Sequence, residues 1–282
     1  MSEAAFSEII AGLYAGGVAP YLGPGVLVDV VNRETGEPIP ADSDSLILAM
    51  NNGKPMAPRL MYEFSRAAMN LELRRGRQFI NRFLVKTYAE TPWSRAAVHA
   101  QLARCKLPSV VDINRDTQLQ DAYQGVPHLL IVGVARTGGT DYRFRIYHHD
   151  GGGYRKIEPA TETVDTTLPI LFKPLGSPRP EPSFIASDAD FVDYMTELMG
   201  GFAIPRFLKA QRRGKRYLLL GLRLNRDTER LVLSEIIHDA AQPAGWTLIQ
   251  EPTPKEQSYC EKKGIQILRA DIAELMAALP SE

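Results

Sequence analysis

The chain has little cysteine: two residues in 282, Cys105 and Cys260. No Cys-x-x-Cys pair exists, which excludes a cysteine-rich structural zinc site. Two cysteines could close one disulfide, but in a chain able to bury its own core such thiols are commonly free and buried in a reducing compartment, and free thiols are expected here. Long hydrophobic runs are also missing. The longest, such as Leu129–Ala135 and Tyr217–Leu222, are strand-length, far from the about 20 apolar residues of a bilayer span, so no membrane helix is expected. Met1–Phe6 lacks the basic stretch and apolar run of a secretory leader, and a cytoplasmic protein is expected by elimination. An excess of one charge is absent too. The 33 basic residues balance the 33 acidic ones, for a formal charge of +0, which gives no electrostatic reason to expect nucleic acid or a membrane surface as partner.

A hydrophobic fraction of 44% is enough for a sizeable core. The apolar spacing predicts an opening helix over Ser7–Ala15, a short strand from Val18 into the turn Gly23-Pro24-Gly25, and a further helix starting within Val26–Val31. Residues 40–105 read as a helical insertion, with Met61, Phe64, Ala68 and Leu71 at helical spacing. A β-branched strand follows over Pro108–Asn114. Residues 128–165 read as a small β-meander insertion, its extended segments separated by Gly138-Gly139 and Gly151–Gly153. The last third alternates strand and helix, which argues for a parallel sheet with crossover helices. The expected fold is therefore α/β: one Rossmann-like, three-layer domain over residues 1–282, with both insertions inside it.

Three strand ends could carry chemistry. Gly23-Pro24-Gly25 would let backbone N–H groups approach a phosphate, and is equally an ordinary tight turn. In Asp112-Ile-Asn114-Arg-Asp116, Asn114 could bond a ribose hydroxyl while Asp116 holds the loop; alternatively Asn114 is a helix cap. Gly221, after the strand Tyr217–Leu220, leads to Arg223, whose guanidinium could pair with a phosphate. The basic run Lys209–Arg216 reads as a solvated helix end.

In this order the segments resemble the sirtuin family, in particular prokaryotic sirtuin-like domains. Val18–Leu27 is similar to the family's glycine loop, Val111–Asp116 to its Thr-x-Asn-x-Asp segment, Phe172-Lys-Pro-Leu-Gly-Ser177 to its Tyr-Lys-Leu-His-Gly-Ser segment, and Leu220–Asn225 to its later Gly-x-Ser strand end. The resemblance implies NAD as cofactor. It implies a nucleotide site built from Gly23, Pro24, Gly25, Asn114, Gly176, Ser177, Gly221 and Arg223, with Asn114 and Asp116 in the catalytic positions and no metal. The departures are as informative. The family's catalytic histidine falls at Leu175, which cannot move a proton. Its loop serine falls at Leu27, the serine of the later motif at Arg223, and its zinc cysteines are absent. The resemblance therefore implies a catalytically degenerate binder of NAD or an ADP-ribose-type nucleotide, acting as a sensor or as a subunit beside a protein partner or a second copy of the chain. An active NAD glycohydrolase with a relocated base is the alternative, and a protein deacylase comes after it. His148 or His149 could supply such a base if the hairpin carrying them leaned over the pocket; His99, His128 and His238 read as structural or solvent-facing.

Overall fold

The structure is a computed structural model that describes residues 2–137, 142–159 and 161–279. The Gly138-Gly139 turn expected from the sequence lies outside the described residues. Among the described residues eleven strands are formed: β1 (Val18–Leu22), β2 (Ser109–Asp112), β3 (His128–Gly133), β4 (Phe144–His149), β5 (Tyr154–Ile157), β6 (Ile170–Lys173), β7 (Gly176–Ser177), β8 (Ser183–Phe184), β9 (Arg216–Leu220), β10 (Gly245–Leu248) and β11 (Ile265–Leu268). Nine of them make one sheet in the order β11-β10-β9-β1-β2-β6-β3-β4-β5. From β11 to β3 every pairing is parallel; β4 and β5 add antiparallel strands at one edge. β1, β2, β3, β6 and β10 are buried along their whole length, which is why they read as near-continuous apolar runs without alternation.

The alternation shows instead in where each side chain goes. Val18, Leu22, Val110, Leu171, Leu218 and Leu220 join a cluster with Ile9 and Leu13 of the opening helix and with the helices of residues 43–104. Tyr21, Val111, Phe172, Tyr217 and Leu219 join a second cluster with Phe191, Tyr194, Val232 and Leu233. Successive Cβ atoms of a strand point to opposite faces, so the two clusters are the two faces of one sheet, and the domain has helix–sheet–helix layers. The fold is α/β and Rossmann-like.

Two local readings are corrected. Val26–Val31 does not begin a long helix: Pro24–Leu27 makes one 3₁₀ turn, and Val31 then bridges to Pro38. The meander starting at His128 lies in the plane of the main sheet, because β3 pairs in parallel with β6 over Leu129–Val132 before β4 and β5 extend it.

The helices that matter for the site carry clear end signals. Asp42 caps Ser43–Met50 by accepting from the N–H groups of Asp44 and Ser45, both at 2.9 Å. Ser187 and Asp190 form a capping box on Asp188–Gly200, and Thr253 and Glu256 form another on Pro254–Lys263.

Candidate functional site

The strands β9, β1, β2 and β6 are neighbours and parallel. Their carboxyl ends therefore deliver Gly221, Gly23, Asn114 and Leu175 to one edge of the sheet. The chain leaves β1 for β2 on one side and returns to β9 on the other, so the β1/β9 boundary is a topological switch point, where open α/β sheets bind ligands.

The glycines at this boundary face each other. Gly23 N–H donates to the Leu220 carbonyl and Gly25 N–H to the Gly221 carbonyl, both at 2.8 Å. A Cβ on Gly25 would sit 2.8 Å from Gly221 Cα, and one on Gly23 would sit 2.6 Å from Leu222 Cδ2. Gly221 itself has φ +69°, which favours glycine. Two backbones cross here in contact, and that crossing is the first demand these glycines meet. The Gly23 and Gly25 amides are already spent on it.

Asn114 is the pivot of the edge. Its backbone N–H and its Nδ2 both donate to Asp112 Oδ1 at 2.9 Å, and Nδ2 also donates to the Gly23 carbonyl at 3.0 Å. Two acceptors fix which end of the amide is nitrogen. The remaining atom, Asn114 Oδ1, is buried with no partner.

Beneath Asn114 lies a fully buried charged group. Lys173 Nζ contacts Asp112 Oδ2 at 2.7 Å, with both side chains 0% exposed. His99 Nε2 lies 3.6 Å from the same oxygen. Burial alone would raise the Asp112 carboxyl; the Lys173 ammonium and His99 outweigh it and hold it well below the usual carboxylate range. Asp116 has no such direct contact. Burial holds its carboxyl above the usual range, against the pull of Lys173 and with the Asp112 charge adding to the rise. Its Oδ1 accepts from Gln118 N–H at 2.7 Å, so Asp116 also holds its loop. The ligating atoms of His99, Asp112 and Asp116 lie within 4.8 Å of one another, but the cation already at Asp112 is the Lys173 ammonium.

Above the edge are two adjoining hollows, which share Pro24, Ser43, Arg226 and Glu229 in their linings. A cavity of about 670 Å³ lies over the β1/β9 boundary, lined by Pro24, Gly25, Ser43, Gly221, Arg223 and Glu229 among others. A smaller one, about 50 Å³, lies between Asn114, Arg115, Leu175, Ser43 and Glu229. Three buried polar atoms at these walls have no partner among the described residues: Asn114 Oδ1, Ser43 Oγ and Glu229 Oε2. Burial pushes the Glu229 carboxyl up to about 7, with Glu63 adding to the rise. The helix ends at the crevice are occupied from within. Asp42 caps Ser43–Met50, and Glu63 caps Asp227–Ile236 by accepting from Asp227 N–H at 2.8 Å and Thr228 Oγ1 at 2.8 Å. Arg226 donates to both Asp44 oxygens at 2.9 Å.

Of the residues expected from the sequence, Pro24, Gly25, Gly221 and Arg223 line the larger cavity, while Pro24 and Asn114 line the smaller. Gly23 touches the edge through its carbonyl. Gly176 and Ser177 are turned elsewhere: Gly176 pairs with Phe184, and the buried Ser177 Oγ accepts from Gln120 Nε2 at 2.7 Å. Asp116 lies below the loop. The hairpin histidines lie at the far end of the sheet. His149 pairs with His128 at the amino end of β3, level with the start of β6, because β4 runs antiparallel; neither His148 nor His149 can reach the crevice. His99, Lys173, Ser43 and Glu229 were not read as site residues. Lys173 was legible in part, as a lysine ending an otherwise apolar strand; Ser43 and Glu229 gave no sequence signal beyond helix N-termini.

One family model, described as SIR2-like domain, matches residues 109–268. That span begins at β2 and ends with β11, so it takes in Asn114, Leu175 and Gly221 and leaves out the Gly23 loop. No curated protein matches the chain. Among the described residues no helix is long and apolar enough to cross a membrane.

Proposed function

The chain belongs to the SIR2-like domain family, and from that premise we propose that the crevice at the β1/β9 boundary binds NAD or an ADP-ribose-type nucleotide, in a domain that is catalytically degenerate and acts as a sensor or partner subunit. One observation carries the binding reading: three polar atoms without a partner among the described residues, Asn114 Oδ1, Ser43 Oγ and Glu229 Oε2, line adjoining hollows. Buried polar groups nearly always have partners, and a ligand with several hydroxyls would supply them. Asn114 Oδ1 can only accept, so it calls for a donor such as a ribose hydroxyl. The larger cavity is within the range of small-molecule sites, about 300–1,000 Å³. Arg223 is exposed at its rim, suited to a phosphate.

The degenerate reading rests on Leu175, which stands where the resembled family has its proton acceptor and is buried against the small cavity. General base catalysis is typically worth about 10²–10⁴ in rate, so a slow residual cleavage of NAD is the expected ceiling. A second reading, an active NAD glycohydrolase, is favoured by Glu229, a carboxyl near neutrality on the same cavity. Calorimetry with NAD, NADP and ADP-ribose tests the binding: a Kd between micromolar and millimolar is expected, and no heat at millimolar ligand overturns it. Product analysis after incubation with NAD separates the two readings. Turnover at or above about 1 s⁻¹ selects the glycohydrolase; silence in the wild type with a gain in Leu175→His selects the degenerate site.

A further inference from the structure

We propose that the crevice is a proton-linked anion site: Glu229 takes up a proton when a pyrophosphate-bearing nucleotide enters, so that affinity strengthens on the acid side of neutrality. The inference rests on the nucleotide reading and adds to it a regulatory coupling to pH.

The argument starts from charge. The two hollows are lined by four acidic groups, Asp42, Asp44, Glu63 and Glu229, against three arginines, Arg115, Arg223 and Arg226. Most are already committed. Asp42 and Glu63 cap helices, and Arg226 is held by Asp44. Arg115 donates to the Ile185 carbonyl through Nε at 3.0 Å and through Nη2. Arg223 is exposed at the rim. Of the four acids, Asp44 pairs with Arg226 and Asp42 and Glu63 accept from helix N–H groups, whereas Glu229 Oε2 is shielded from water and, among the described residues, has nothing to accept from.

The groups facing it from each neighbouring element favour its neutral form. Glu63, ahead of the helix Phe64–Arg75, and Asp42, ahead of Ser43–Met50, both push against its charge. Tyr21 of β1, itself fully buried, is raised in part by the Glu229 charge, so the two repel ionisation in each other. On its own side Arg226 and Arg230 favour ionisation, but Arg226 is bound to Asp44, and Arg230 donates to the Leu224 carbonyl at 2.8 Å and pairs with Asp227. With desolvation included, the carboxyl is balanced at about 7.

An ionised Glu229 can only accept hydrogen bonds and would repel a pyrophosphate brought into this low-dielectric crevice. A protonated Glu229 keeps an acceptor and gains an O–H donor that an anion or a ribose oxygen can use. The ligand therefore binds the protonated form better. By linkage, proton and ligand then strengthen each other by the same factor. The helix N-termini, the usual sources of anion affinity in such folds, are filled by Asp42 and Glu63, so the proton on Glu229 decides the local balance.

The test is isothermal titration calorimetry with ADP-ribose on the full chain at pH 6, 7 and 8, each in two buffers of different ionisation enthalpy. The wild type is expected to take up a proton on binding at pH 7–8 and to lose affinity about three- to tenfold between pH 6 and pH 8. Glu229→Gln is expected to bind with a nearly flat pH profile and to exceed the wild type at pH 8. A wild type with measurable heat and a flat profile overturns the linkage alone, as does a Glu229→Gln variant that keeps the wild-type slope. Carbon-13 NMR of the glutamate carboxyls gives a readout independent of ligand, and a Glu229 midpoint at the ordinary 4–5 of a free carboxyl also overturns it. No heat with either protein at any pH overturns the nucleotide reading, and the linkage with it.

Discussion

Two carboxyl groups near the carboxyl edge of the sheet, Asp112 at the end of β2 and Glu229 in the first turn of the helix Asp227–Ile236, have opposite fates. On the β2/β6 side, Asp112 is fully enclosed and meets the Lys173 ammonium at 2.7 Å; it stays charged, and its other oxygen anchors Asn114. On the β1/β9 side, Glu229 faces other acids, its nearest arginines are engaged elsewhere, and its carboxyl rises to about 7. Burial is common to both and disfavours charge in both. What separates them is a committed counter-ion. The paired region is a foundation, with its charges cancelled and its hydrogen bonds pointing at Asn114. The unpaired region is adjustable, which is the property a ligand site needs.

The largest expected effect comes from breaking the pair. Lys173→Met leaves a buried carboxylate without its cation and is expected to cost about 3–5 kcal/mol, read by urea denaturation. The double variant Asp112→Asn/Lys173→Met should recover most of that loss. A single-variant cost below about 1 kcal/mol would mean that Asp112 takes a proton cheaply, and the contrast with Glu229 would vanish.

Next is the seam between the regions. Gly25→Ala places a Cβ 2.8 Å from Gly221 Cα and is expected to cost roughly 1–3 kcal/mol, read as a lower denaturation midpoint, and to weaken ADP-ribose binding through the displaced Gly221 turn. Gly125→Ala, with nothing within 4 Å of its Cβ, is the control, expected within about 0.5 kcal/mol of the wild type. Equal effects would show that the loop crossing carries no strain.

The smallest effect sharpens the contrast itself. Because the folded-state pKa of Glu229 is raised, its contribution to stability is fully present below the unfolded value and is lost as pH rises through about 7. Glu229→Gln lacks that loss. Its stability relative to the wild type should climb between pH 5 and pH 8, reaching roughly 1–3 kcal/mol at pH 8 in paired urea melts. A constant difference across that range would place Glu229 in contact with a cation.

The strands were legible because both faces of the sheet are covered, which turns each core strand into an apolar run. The order of Gly23, Asn114 and Gly221 was legible for the same reason: each follows a run and punctuates it. Their meeting at one edge follows from the parallel pairing of β1 with both β2 and β9. The roles were less so. The Gly23–Gly25 turn reads the same whether its amides face a phosphate or, as here, the Gly221 backbone. Ser177 sits in a matching motif, but the β7/β8 pairing turns it towards Gln120. His148 and His149 looked available because a sequence does not say which end of an antiparallel strand lies at which edge.

The sequence by itself determined the α/β class and the layered core, because these depend on local periodicity; the catalytic meaning of Leu175 comes only from the resemblance to the sirtuin family and belongs to the proposed function. Tertiary structure decided which charges are answered. Lys173 meets Asp112 across 61 positions of chain, and Glu63 reaches Asp227 across 164, leaving Glu229 Oε2 without a hydrogen-bond partner among the described residues. Pairing and desolvation act through distances of a few ångströms, and spacing along the chain carries no information about them.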